Sequence, residues 1–118
     1  MRTLGFVVLL AVGISGEAWA QSVGGAYSVA GKNPDGSDYS GTAQITPSGS
    51  SCRIKWQTDG TTSEGICMLA NKAFAASYKM GSEYGLVVYE VMPDGSLRGY
   101  WTVADQEGVG TELLTPRR

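Results

Sequence analysis

The sequence predicts an all-β domain: eight antiparallel strands in an up-and-down meander, closed into a small barrel. Three observations predict it. Clusters of Gly with Pro, Asp or Ser punctuate the chain roughly every 8–12 residues. The runs between them are short and rich in Tyr, Val, Ile, Thr and Trp, and several alternate apolar with polar residues. No stretch carries a convincing helical period of 3.6 residues. Closure removes exposed sheet edges and suits the strand count. A β-sandwich is the competing architecture.

The chain has 118 residues. Residues 1–20 read as a secretory signal peptide: Arg2 gives a basic start, 4–14 is an apolar run, and Ala18-Trp19-Ala20 is the small-x-small step before a cut at Gln21. The apolar run is short of the ~20 residues that span a bilayer. No cysteine follows the cut, so a lipid anchor has no attachment point. Residues 21–118 then form one domain, exported to the periplasm or beyond. Losing Arg2 and Glu17 removes one charge of each sign and leaves the net charge at −2. With basic residues scattered singly up to the terminal Arg117-Arg118 pair, that balance argues against a nucleic-acid partner, which needs a basic stripe.

The predicted strands are 26–31, 39–46, 52–58, 63–69, 73–79, 85–92, 97–104 and 109–114. The first pair is joined by Pro34-Asp35-Gly36-Ser37. Proline presets φ, aspartate caps the turn, and glycine takes the left-handed position. The same four residues recur as Pro93-Asp94-Gly95-Ser96 between the sixth and seventh strands, each copy preceded by Tyr-x-Val (Tyr27, Tyr89). Thr58-Asp59-Gly60-Thr61 is the strongest hairpin cue, a two-residue turn pairing the third and fourth strands. Counting outward from it pairs Cys52 with Cys67. An even pair of cysteines in an exported chain reads as a disulfide, worth about 3 kcal/mol for a loop of this size. That register makes Cys52–Cys67 a hydrogen-bonded pair, whose side chains diverge more than at alternate positions, so a bulge could shift it.

Parity assigns inward faces. Cys52, Ile54 and Trp56 alternate with Arg53, Lys55 and Gln57; Leu97, Gly99, Trp101 and Val103 alternate with Arg98, Tyr100 and Thr102. Phe74, Ala76 and Tyr78 share a face of the fifth strand. Leu86, Val87, Val88 and Tyr89 run without alternation, so that strand is buried on both faces or meets a partner outside. Glycines within strands (Gly41, Gly65, Gly99, Gly110) fit sharp bends at barrel corners.

Several chemistries are excluded. There is no histidine, so no Ser-His-Asp or Cys-His machine and no histidine zinc ligand. With Cys52 and Cys67 oxidised, no thiolate nucleophile is left. Phosphate-cradling and dinucleotide motifs are lacking, and the aspartates are too dispersed for an EF-hand. No catalytic residue, metal ligand or cofactor is assigned. Two carboxylates could still hydrolyse a glycosidic bond. Glu90, in an apolar strand, is the carboxylate of interest if it faces inward; the plainer reading has it in water or opposite Arg98.

Aromatic residues are the other resource. Trp56 and Trp101 either fill the core or line an apolar pocket at one mouth, with tyrosine hydroxyls supplying polarity. Tyr89 and Tyr100, read as outward, would anchor a protein partner. Loops 79–84 and 105–108 are candidates for a protruding inhibitory loop.

The run Gly25-Ala26-Tyr27-Ser28-Val29-Ala30-Gly31-Lys32-Asn33-Pro34-Asp35-Gly36-Ser37-Asp38-Tyr39-Ser40-Gly41, with Ile54-Lys55-Trp56, Gly99-Tyr100-Trp101 and Gly110-Thr111-Glu112-Leu113-Leu114, resembles a family of small exported bacterial proteins often labelled fibronectin-binding-like. The motifs are mostly turn and strand chemistry, so the resemblance bears on fold more than on function. More loosely, the meander is similar to avidin-like and lipocalin-like barrels; no ligand-contact motif carries over. The expectation is a protein that binds rather than catalyses: first a macromolecular partner of adhesion or hydrolase-inhibitor type, second a small apolar molecule held inside the barrel, third a small hydrolase.

Overall fold

A computed structural model describes residues 23–117; the signal peptide and cleavage site expected from the sequence lie outside the described residues. Eight strands follow in chain order: β1 (Gly25–Lys32), β2 (Asp38–Ser48), β3 (Ser51–Thr58), β4 (Thr61–Ala70), β5 (Ala73–Met80), β6 (Glu83–Val91), β7 (Leu97–Val103) and β8 (Gly110–Pro116). Each pairs antiparallel with its neighbour, and β8 returns to β1, closing the barrel. The sandwich is thereby excluded. No helix among the described residues is long and apolar enough to cross a membrane.

The turn chemistry acts as the sequence predicts. Asp59 and Gly60 both take positive φ, 49° and 82°, the requirement of a type I′ turn, whose twist matches the flanking strands. The register it sets runs without a bulge from Thr58↔Thr61 to Cys52↔Cys67. The disulfide forms between them, with the Cα atoms 5.0 Å apart and both sulfurs in the barrel interior. Such bonds belong to oxidising compartments. The two Pro-Asp-Gly-Ser copies fold alike. Gly36 N–H donates to Asn33 and Gly95 N–H to Met92. In each, the aspartate accepts both the N–H and the hydroxyl of the serine two residues on, which holds the Asp35 and Asp94 carboxyls below the usual range. They sit at opposite ends of the barrel.

That division defines the molecule. One end carries the β2–β3, β4–β5 and β6–β7 turns and the incoming chain at Val23. The other carries the β1–β2, β3–β4, β5–β6 and β7–β8 turns. The first end is filled: Phe74, Ile45, Ile54, Leu97 and Leu114 are fully buried, and Val23 is held beneath them by the Tyr27 hydroxyl, which donates to its carbonyl at 2.7 Å. The second end is open.

Candidate functional site

Four of the large inward rings lie against a glycine on a neighbouring strand, three of them toward the open end and Tyr89 toward the filled end with its hydroxyl reaching inward. The directly opposed pairs are Tyr39 with Gly31, Tyr78 with Gly85, Tyr89 with Gly99, and Trp101 with Gly110. In each, a Cβ on the glycine would fall within 2.6 Å of the opposing ring, far inside van der Waals contact. The missing side chains are therefore the space in which the rings lie, the aromatic-over-glycine device of curved sheets. Gly41 and Gly65 act differently, since a Cβ there would strike the carbonyls of Gln57 and Ser77, so their missing side chains let neighbouring backbone come close, whereas Gly99 and Gly110, expected from the sequence as corners, make room for rings.

Glu112 sits between two of these glycines. It is opposite Gly31 on one side and Gly99 on the other. Tyr39 therefore reaches across Gly31, and Tyr89 across Gly99, to the same carboxylate. The Tyr39 hydroxyl donates to Oε1 at 2.6 Å. The Tyr89 hydroxyl donates to Oε2 at 2.5 Å, and Trp56 Nε1–H donates to Oε2 at 3.0 Å. A carboxylate offers about four acceptor positions; three are used, and one on Oε1 is left. Glu112 is 8% exposed, and among the described residues the one ion pair is the exposed Lys32–Asp38 contact. Its charge is thus held by neutral donors alone. Burial is the main cause that pushes the Tyr39 and Tyr89 phenols well above their usual range, and the Glu112 charge adds to it. Burial likewise pushes Tyr78 up to about 12.

Above this cluster lies a cavity of about 230 Å³. Trp56, Trp101, Tyr39 and Tyr78 supply its rings, Glu112 its base, and Asp59 and Asn33 are at its rim. Trp56 meets Tyr78 edge-on at 5.5 Å between centroids, and Tyr39 meets Trp101 edge-on at 6.1 Å. Neither Lys nor Arg is among the lining residues. One lining donor is unused: the Trp101 indole N–H is buried with no hydrogen-bond partner among the described residues. It lies beside the Tyr39 oxygen and partly offsets the rise of that phenol, but outside hydrogen-bond geometry.

The sequence-chosen residues divide. Trp56 and Trp101 both face inward and share the mouth cavity. Tyr100 is outward, 59% exposed. Tyr89, read as an outward anchor, is instead 1% exposed and inside: in β6, Val87 and Tyr89 point in while Leu86 and Val88 point out. Glu90 shares the outward parity and stands opposite Arg98. The Pro34-Asp35-Gly36 turn belongs to the open end and Pro93-Asp94-Gly95 to the filled one. Loops 79–84 and 105–108 lie side by side, bridged by Gln106 Nε2–H donating to Glu83 Oε2 at 2.9 Å. Glu112 is the residue sequence reasoning passed over, although Gly110, Glu112 and Leu114 share one parity. Among the described residues, no group of three or more His, Cys, Asp or Glu is placed to hold a metal ion.

A second feature lies on the outer wall. Met68, Ala75, Val88 and Tyr100 form one cross-strand row over β4–β7, with Ile66, Leu86 and Val109 beside it. The large members are each more than half exposed, and no charged residue interrupts the patch.

No family model matches the chain and no curated protein matches it, so the fibronectin-binding-like resemblance gains no support. Solved structures do match. A redesigned β-barrel superposes with a TM-score of 0.73 at 17% identity, over 84% of this chain and 95% of that one. Another redesigned β-barrel, bound to DFHBI, gives 0.68 at 17% identity, over 80% and 95%. A fatty acid transporter gives 0.55 at 16% identity, over 83% and 98%. At such identities the likeness shows the fold alone.

Proposed function

We propose that the protein is an exported, non-catalytic barrel that binds a small molecule in its open mouth. The observation that carries this reading is the contrast between a filled end and a 230 Å³ cavity lined by four aromatic rings around a buried carboxylate. Pockets for small ligands have this make-up, apolar walls with few convergent polar groups, and commonly measure ~300–1,000 Å³; the occupant here is therefore at the small end. Two structural neighbours, the DFHBI-bound barrel and the fatty acid transporter, are named for small-molecule cargo, which supports a carrier over a macromolecular partner. The hydrolase reading loses its best residue, since Glu90 lies on the outer wall. Native mass spectrometry of protein purified from its own exported fraction tests the proposal. A reproducible mass excess of up to a few hundred daltons, lost on denaturation, is expected; a bare polypeptide mass at every stage of purification, with no small-molecule probe retained, contradicts it.

The outer patch favours a second reading, that the wall over β4–β7 docks against a second copy of this chain. Its six large side chains are each more than half exposed and contiguous, the kind of apolar patch that marks an interaction surface. Lacking charge, the face can meet its own copy about a two-fold axis without like charges opposing. Sedimentation should give a dimer for the natural sequence and a monomer for Val88→Lys; a monomer for both at the highest attainable concentration defeats this reading.

A further inference from the structure

The mouth cavity is selective by charge, and we infer that its ligand class is a small organic cation, an ammonium or quaternary amine carried on an apolar body. This inference rests on the proposal that the mouth holds a small molecule and specifies what kind.

Four observations carry it. The cavity is lined by Trp56, Trp101, Tyr39 and Tyr78, which stand in two edge-on pairs. Aromatic faces carry negative quadrupole density, and groups of them around a cation are the recurring means of recognising alkylated ammonium groups. The base of the same cavity is the Glu112 carboxylate, and Asp59 is at the rim, so both formal charges in the lining are negative. No cation among the described lining residues or ion pairs neutralises Glu112. Its three neutral donors satisfy hydrogen bonding yet leave the net charge and one acceptor position on Oε1. Finally, Trp101 Nε1–H is a buried lining donor without a partner. A ligand acceptor, such as a hydroxyl or carbonyl beside the ammonium, would use it.

The same features reject anions. A fatty acid head entering this mouth meets two carboxylates and no basic side chain, a like-charge approach that a site poor in water makes costly. A cavity of 230 Å³ also has no room for a long acyl chain. The fold is shared with a fatty acid transporter, but the electrostatics of the mouth are of the opposite sense.

The test is a charge series on one ring: benzyltrimethylammonium, benzyl alcohol and benzoate, with laurate as the fatty acid probe. Each is titrated into the protein with tryptophan fluorescence and calorimetry as readouts. The cation should bind at least about tenfold more tightly than benzyl alcohol, with benzoate and laurate weaker still. Glu112→Gln should reduce cation affinity about tenfold and leave benzyl alcohol unchanged. Because that change also disturbs three hydrogen bonds, Asp59→Asn is the second variant. Asparagine accepts the left-handed turn conformation of Asp59, and this variant should weaken the cation by a few-fold only. Equal affinity for cation and alcohol, or tighter binding of benzoate or laurate, overturns the cation class while leaving a small-molecule barrel standing. Binding of none of the four at millimolar concentration overturns both.

Discussion

The two ends of the barrel are made from the same eight strands and the same alternation, and they differ only in what the inward positions carry. At the filled end these are Ile45, Ile54, Phe74, Leu97 and Leu114, all fully buried. At the open end they are rings lying over glycines, converging on a carboxylate. The filled end stabilises the domain by apolar burial. The open end places polar groups where burial penalises them, and it stands because the charge meets three donors. Stability and ligand chemistry are thus separated along the barrel axis.

Substitutions at the two ends should part company. Leu97→Ala empties a fully buried position at the filled end and should cost about 2–5 kcal/mol in urea denaturation, with probe affinity at the mouth unchanged in the folded fraction. Breaking the disulfide with Cys52→Ser and Cys67→Ser together should cost about 3 kcal/mol for a sequence separation of 15, again without altering the mouth. At the open end, Gly31→Ala puts a methyl where the Tyr39 ring lies, 2.2 Å away. The φ at Gly31 is one any residue adopts, so space is the whole effect. The ring must move and its bond to Glu112 is lost, at about 1–3 kcal/mol, and here probe binding should fall with stability. Equal losses of binding from Leu97→Ala and Gly31→Ala would dissolve the distinction between the ends.

Much of this was legible in the sequence, for identifiable reasons. Asp59-Gly60 specifies its turn by backbone conformation alone, and every pair out to Cys52↔Cys67 follows by counting. Cys52, Ile54 and Trp56 show their face because polar residues separate them. Leu86 to Tyr89 does not, because an unbroken apolar run has no parity of its own. Tyr89 is placed only by its neighbours: it faces Gly99, whose lack of a side chain gives the ring room, and its hydroxyl meets Glu112. Glu112 was hidden by a general expectation that holds elsewhere in the chain, that glutamate belongs in water. What brings it inside is three donors from β2, β3 and β6, which no local pattern around residue 112 encodes.

The smallest expected difference between the ends is in pH response. The hydroxyls of Tyr39, Tyr78 and Tyr89 all belong to the open-end cluster, and all have raised folded values, so folding favours their neutral forms. Their contribution is fully present below the ordinary tyrosine value of about 10 and is lost as pH rises from there through their folded values, about 12 for Tyr78. Absorbance at alkaline pH should show these phenols ionising only as the barrel opens, with the urea midpoint falling above about pH 10. A midpoint flat to pH 12 would show that these hydroxyls are not held as described.

The most direct test of the division between the ends is nuclear magnetic resonance of the indole N–H groups. Trp56 and Trp101 are the two tryptophans of the described residues, and both line the mouth. Adding benzyltrimethylammonium should shift both indole signals, with the largest backbone changes at Tyr39, Tyr78 and Glu112 and none at Ile45 or Leu97. Shifts confined to Met68, Val88 and Tyr100 on the outer wall, with both indoles unmoved, would contradict a ligand site in the barrel mouth.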